Sequence, residues 1–115
     1  MYIYDEANKL AKLLKESEEY RSYSSLRDKV YADENTKNLL KDYKKLQFEA
    51  QASYLSGKEP EEELMDKIKK LGEVLAFNAD VTEFLSYEYR LNVMLGDIYK
   101  IIGDAVDLSP DFLRE

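Results

Sequence analysis

The residues of this 115-residue chain that could do chemistry are mostly acidic. It carries 24 Asp and Glu against 17 Lys and Arg, a formal net charge of -7, and neither histidine nor cysteine. Without those two residue types there is no disulfide, no thiolate nucleophile, no imidazole acid or base, and almost no means of ligating a transition metal. Carboxylate chemistry remains. Hard cations such as magnesium take oxygen ligands, and Glu16-x-x-Glu19 and Glu63-x-x-Asp66 each set two carboxylates about one helical turn apart. With so many acidic residues such spacings arise by chance, and Glu16 and Glu19 straddle an expected helix break at Ser17. Solvated or capping carboxylates are the favoured reading, and no catalytic, cofactor-binding or metal-ligating residue is assigned.

Those pairs resemble the magnesium-holding helices of all-α nucleotide pyrophosphohydrolases, which makes such an enzyme the first alternative. A second alternative is an RNA-binding accessory protein. It would use Lys41, Lys44 and Lys45 with Lys67, Lys69 and Lys70 as phosphate contacts. The negative net charge and the lack of an aromatic-basic recognition motif oppose it, and lysines at these spacings more often pair with neighbouring acids on a solvated face.

The third chemical feature is ten tyrosines with no tryptophan. Tyr offers a large contact area at low entropic cost and keeps a polar tip, so it serves interfaces well; half-buried packing is the commoner use. Tyr20, Tyr23 and Tyr31 form the best interface group, with Tyr87, Met94 and Ile101 as a second set.

The elements that position these residues read as helices throughout. Asp5 is expected to cap a first helix bearing Ala7, Leu10, Ala11, Leu13 and Leu14, ending near Glu16. Ser17 then caps a second, with Tyr20, Tyr23, Leu26, Val30 and Tyr31. Its apolar face is thin, which predicts partial exposure or burial against another subunit. Asp33 opens a third helix in which Leu39, Tyr43, Leu46 and Ala50 follow a 4-3-4 spacing, with Leu40 flanking. Gly57 and Pro60 form a short loop, Pro60 at the first turn of a fourth helix whose Leu64, Ile68, Leu71 and Leu75 repeat that spacing. A long antiparallel hairpin follows. Asp80 and Glu83 are expected to form a capping box for the last helix. There Phe84, Leu91, Leu95, Ile98 and Ile102 make one stripe, and Tyr87, Met94 and Ile101 a second beside it. So wide an arc implies burial on more than one side, with Gly96 marking a close approach and Gly103 the end. In the tail, Ser109-Pro110 would cap a short turn that docks Phe112 and Leu113. The fold class expected is all-α: a long helical hairpin plus packing helices, four to five in all, in a single domain spanning 1–115.

Taken in order, Ile3-Tyr4-Asp5, Glu16-Ser17-Glu18-Glu19-Tyr20, Leu46-Gln47-Phe48-Glu49-Ala50-Gln51, Gly57-Lys58-Glu59-Pro60 and Leu91 through Ile102 resemble the small bacterial YheA/YmcA/YlbF helical family, its YheA-like branch above all. The resemblance covers almost the whole chain. It implies a cytoplasmic, non-catalytic all-α protein that self-associates, as a homodimer or larger, and acts through protein partners. Members of the YlbF/YmcA branch are accessory factors tied to competence, sporulation, biofilm formation and messenger-RNA processing. Some hold an iron–sulfur cluster through cysteines; this chain has none, so no cofactor carries over. No apolar run approaches the length of a membrane span, and Met1 to Glu6 lacks the charged and apolar regions of a signal peptide, which also favours the cytoplasm.

Overall fold

In a computed structural model, which describes residues 2–106, the chain is all-helical: α1 (Tyr2–Glu16), α2 (Glu18–Ala32), α3 (Glu34–Leu55), α4 (Glu62–Ala76) and α5 (Ala79–Ala105). The breaks between them have local causes. Ser17 adopts extended backbone angles, and its Oγ accepts from the Tyr20 N–H at 3.2 Å. Its hydroxyl also donates to the Leu14 carbonyl at 2.6 Å, so one side chain ends α1 and starts α2. Asp33 does similar work at the next junction, accepting from the Asn35 N–H at 3.3 Å and the Thr36 hydroxyl at 2.7 Å. That bond satisfies buried Thr36. At the end of α3, Gly57 sits at φ +83, and the N–H groups of Lys58 and Gly57 donate back to the carbonyls of Ser53 and Tyr54, each at 3.0 Å. This is a Schellman cap, which needs a left-handed residue there and so favours glycine.

Four expected boundaries move. α1 begins at Tyr2, which places Asp5 within the helix as a favourable charge in the first turn. α4 begins at Glu62 after Glu61, so Pro60 precedes the cap position instead of occupying the first turn. Asn78, not Asp80, caps α5: its side-chain oxygen accepts from the N–H groups of Asp80 and Val81 at 3.0 and 3.3 Å. Gly103 lies inside α5, which continues to Ala105. The expected turn at Ser109-Pro110, with Phe112 and Leu113, lies outside the described residues.

α3 and α4 form the expected antiparallel hairpin, and the most extensive contact joins α2 to α5. The core gathers where α2, α3, α4 and the first turns of α5 meet: Leu26, Val30, Leu40, Leu75, Val81 and Phe84. This overturns the expectation that α2 is peripheral. Leu26 and Val30 are buried, and Tyr23 stacks on Phe84 at 5.2 Å. On α3 the fully enclosed side chain is Leu40, expected only to flank; Leu39, Tyr43 and Leu46 are half-buried because the helix is covered from two directions. The close approach falls at Gly72, where an added Cβ would lie 3.3 Å from the Tyr43 ring; at Gly96 it would meet nothing within 4 Å.

The core is confined to one end of a flat molecule, 47 × 38 × 16 Å. Its radius of gyration is 18.4 Å, where a compact chain of this length has roughly 13 Å. It exposes 9444 Å², against roughly 6,500 Å² for a compact monomer of its mass. Much of the apolar surface expected inside therefore lies outside. Leu95, expected to be core, is 38% exposed.

Phe84→Ala is expected to cost about 3–5 kcal/mol in urea unfolding, since it removes a fully enclosed ring. Leu95→Ala should cost under about 1 kcal/mol in dilute chain; the reverse order of losses would put the core elsewhere.

Candidate interaction surface

α1 alternates a charged face with an apolar one, yet none of its residues is buried. Ile3 is 74% exposed and Leu13 65%. The cause is the Ser17 junction, whose extended backbone turns α1 away, so that α1 packs only against α2. α5 has the complementary problem. It is 27 residues long and α2 only 15, so α5 runs well beyond its cover. Along that outer part Leu91, Met94 and Ile98 are half-buried, while Ile101 and Ile102 are 69% and 54% exposed.

Between these two arms lies a groove of about 670 Å³. Ala11 and Leu14 line it from α1, Tyr20 and Tyr23 from α2, and Leu91 and Leu95 from α5; Lys15, Lys44, Glu88 and Asn92 supply its polar groups. Its floor is aromatic. Tyr23 stacks on Phe84, Tyr20 lies 6.3 Å from Tyr23, and the Arg27 guanidinium sits 5.5 Å from the Tyr23 ring. Lys44 of α3 bonds Glu88 of α5, and its ammonium lies 5.7 Å from the Phe84 ring centre. This ion pair joins the hairpin to α5 at the groove edge. Its apolar wall, running along two helices and open to solvent, has the form of a groove that receives the apolar face of a helix.

The six interface candidates do not share one patch. Tyr20 and Tyr23 line the groove. Tyr31 packs edge-on against Phe84 at 5.9 Å and remains 39% exposed. Tyr87 faces the other side of α2, beside Arg21, Ser22 and Ser25, with the Arg90 guanidinium 4.8 Å from its ring. Met94 and Ile101 lie farther along the outer part of α5. Sequence reasoning missed Leu14 as a groove residue and the Lys44–Glu88 pair. The amphipathic stripe of α1 could have shown the first; no local signal links residues 44 positions apart.

The alternative chemistries are not assembled. Glu63 pairs with Lys67 at 3.5 Å on α4, and the α4 backbone makes no close approach to α1 or α2, so the Glu16/Glu19 and Glu63/Asp66 pairs are not brought together. Among the described residues, no three acidic side chains converge on a metal position. Of the lysines, Lys44 is taken by Glu88; Lys45, Lys67 and Lys70 share a shallow groove on the hairpin with Asp42 and Glu49. That face carries both charges. No described helix is long and apolar enough to cross a membrane.

Fold and surface together define a class: small all-helical proteins with a hairpin, a one-ended core and uncovered apolar arms. The chain belongs to the YlbF/YmcA family, described as control of the competence regulator ComK, whose model matches residues 3–107. It is 39% identical over 112 residues to a UPF0342 protein of Symbiobacterium thermophilum, covering 97% of this chain and all of that one. A UPF0342 protein of Halothermothrix orenii is 35% identical over 109 residues, covering 95% and 92%. Among solved structures, a DUF964 protein of unknown function from Bacillus stearothermophilus matches at TM-score 0.74 and 12% identity, covering 91% and 92%. Bacillus subtilis YheA matches at 0.62 and 22%, covering 89% and 91%. RicA of the same organism, solved in complex with RicF, matches at 0.59 and 24%, covering 90% and 92%. At these identities the solved structures establish the fold.

A double-mutant cycle on Lys44→Gln and Glu88→Gln should give a coupling of about 0.5–1 kcal/mol that shrinks in high salt, as expected for a half-exposed pair. Lys45→Glu should leave stability within about 0.5 kcal/mol. Equal losses from Lys44 and Lys45 would contradict this division of roles.

Proposed function

We propose that this protein is a cytoplasmic, non-catalytic regulatory adaptor that self-associates and acts by binding other proteins through the apolar arms of α1 and α5. The observation that carries the reading is the uncovered apolar surface. α1 has no buried residue and α5 outruns its cover, in a chain that leaves no buried polar side-chain atom unpartnered among the described residues. Contiguous apolar surface on that scale marks interaction sites in soluble proteins. Family membership supports a regulatory role of the kind tied to competence control, and RicA, which shares the fold, was solved with a protein partner.

In this reading the whole chain is one helical unit. Tyr20 and Tyr23 form the aromatic floor of the binding groove. Met94 and Ile101 extend the apolar surface along α5, and Tyr31 and Tyr87 are candidate anchors on separate faces outside the groove.

The test is affinity capture from the native cell with tagged wild-type chain and with Leu14→Glu, a groove substitution on a helix that contributes nothing to the core. A defined set of proteins should copurify with the wild type and be lost with the variant, while circular dichroism shows the same helicity for both. Retention of the same set by Leu14→Glu would contradict the placement of the site. For self-association, light scattering should show a mass above that of one chain at tens of micromolar; a monomer at every concentration would contradict it.

A further inference from the structure

The uncovered arms carry matching patterns. On α1, Ile3, Ala7, Leu10 and Leu14 follow a 4-3-4 spacing; on α5, Leu91, Leu95, Ile98 and Ile102 follow the same spacing over the same length. A 4-3-4 series reads the same in either direction, so two such seams align antiparallel with every apolar residue opposed by another. Leu14 then faces Leu91, Leu10 faces Leu95, Ala7 faces Ile98 and Ile3 faces Ile102. This is the alternation that packs side chains knobs-into-holes between helices. Each seam spans roughly 16 Å at 1.5 Å per residue.

Within one chain this alignment is not made. The backbones of α1 and α5 do not approach to packing distance, because the Ser17 cap sets the direction in which α1 leaves α2. The groove between them stays open at about 670 Å³. We propose that its occupant is α1 of a second copy of this chain. Each α1 lies antiparallel along the outer part of the other chain's α5, and the two α1–α5 pairs close into a four-helix bundle about a two-fold axis. Such an interface is isologous, as closed dimers require. The areas agree. The chain exposes 9444 Å², roughly 2,900 Å² more than a compact monomer of its mass, whereas a homodimer interface takes about 1,000–2,500 Å² from each chain. Charge does not oppose the arrangement: α1 carries three lysines against three acids, and α5 beyond Leu91 carries Asp97 and Asp104 with Lys100.

This inference rests on the self-association proposed above and adds its geometry. The chain has no cysteine, so introduced thiols report unambiguously. Full-length Ala7→Cys and Ile98→Cys variants, one cysteine each, are mixed, oxidised and run without reductant, with light scattering on the unoxidised mixture. A heterodimer band well above that of either variant alone is the expected result. Adding Leu10→Glu to the Ala7→Cys chain should cut its yield at least tenfold without loss of helicity. A dimer by light scattering with no link between positions 7 and 98 would overturn this geometry and leave self-association standing. A monomer with no link would overturn both. An Ala7→Cys/Ile98→Cys double variant that forms only an internal disulfide, migrating as a fast monomer, would show that α1 folds onto its own α5 and would likewise overturn the exchange.

Discussion

The Phe84 ring is the contact on which the arrangement of this protein depends. It is fully enclosed, with Tyr23 stacked on one side, Tyr31 edge-on, and the ammonium of Lys44, which pairs with Glu88, 5.7 Å from its centre. Through it α2, α3 and α5 are held at one point near the start of α5. Val81, one turn earlier, and Leu75 at the end of α4 complete the same cluster. Burying one aromatic ring among such neighbours is worth several kcal/mol, a large share of the margin by which a domain of this size stays folded. Stability is therefore concentrated at one end. Away from that cluster, among the described residues, only the α3–α4 hairpin keeps a buried seam, with Ala50 enclosed and Gly72 against Tyr43, while α1 and the outer part of α5 depend on helix propagation and caps.

That concentration explains the rest of the shape. α5 is anchored by its first turns and projects from the cluster. α1, joined to α2 through the Ser17 cap, projects beside it. Isolated helices of about 15 residues are marginal in water, so arms of this length that display apolar stripes are unstable economy unless something covers them. The groove between them, floored by Tyr20 and Tyr23, is where covering is geometrically simplest. Under the proposed function, regulation by association needs no movable part in the core. It needs only that the arms are free in one state and covered in another.

Much of the fold was legible in the sequence because its signals are local. Ser17 and Asp33 announce themselves as caps by hydroxyl and carboxylate chemistry, and Gly57 by the left-handed residue that ends α3. The hairpin follows from the short loop between two equal stripes. The errors were of another kind. Asn78 and Asp80 are both plausible caps two residues apart, and only the backbone decides between them. Leu40 and Leu39 are neighbours on a helix covered from two sides, so the stripe alone cannot say which is enclosed. α2 has a weak apolar pattern, yet two aliphatic residues and a tyrosine suffice when the partner is Phe84. For α5 the wide apolar arc implied burial on more than one side, and within one chain its outer part is left open. Periodicity reports which face is apolar, not which molecule covers it.

Hydrogen exchange measured as a function of chain concentration tests the association of the arms most directly, because local opening reports cover segment by segment. At high concentration, amides in α1 and in α5 beyond Leu91 should be protected. On dilution that protection should fall together in both arms, while amides around Leu26, Leu40 and Phe84 stay protected. If α1 exchanges at the same fast rate at every concentration, or if the concentration dependence appears in the α3–α4 hairpin instead, the account of the arms is wrong.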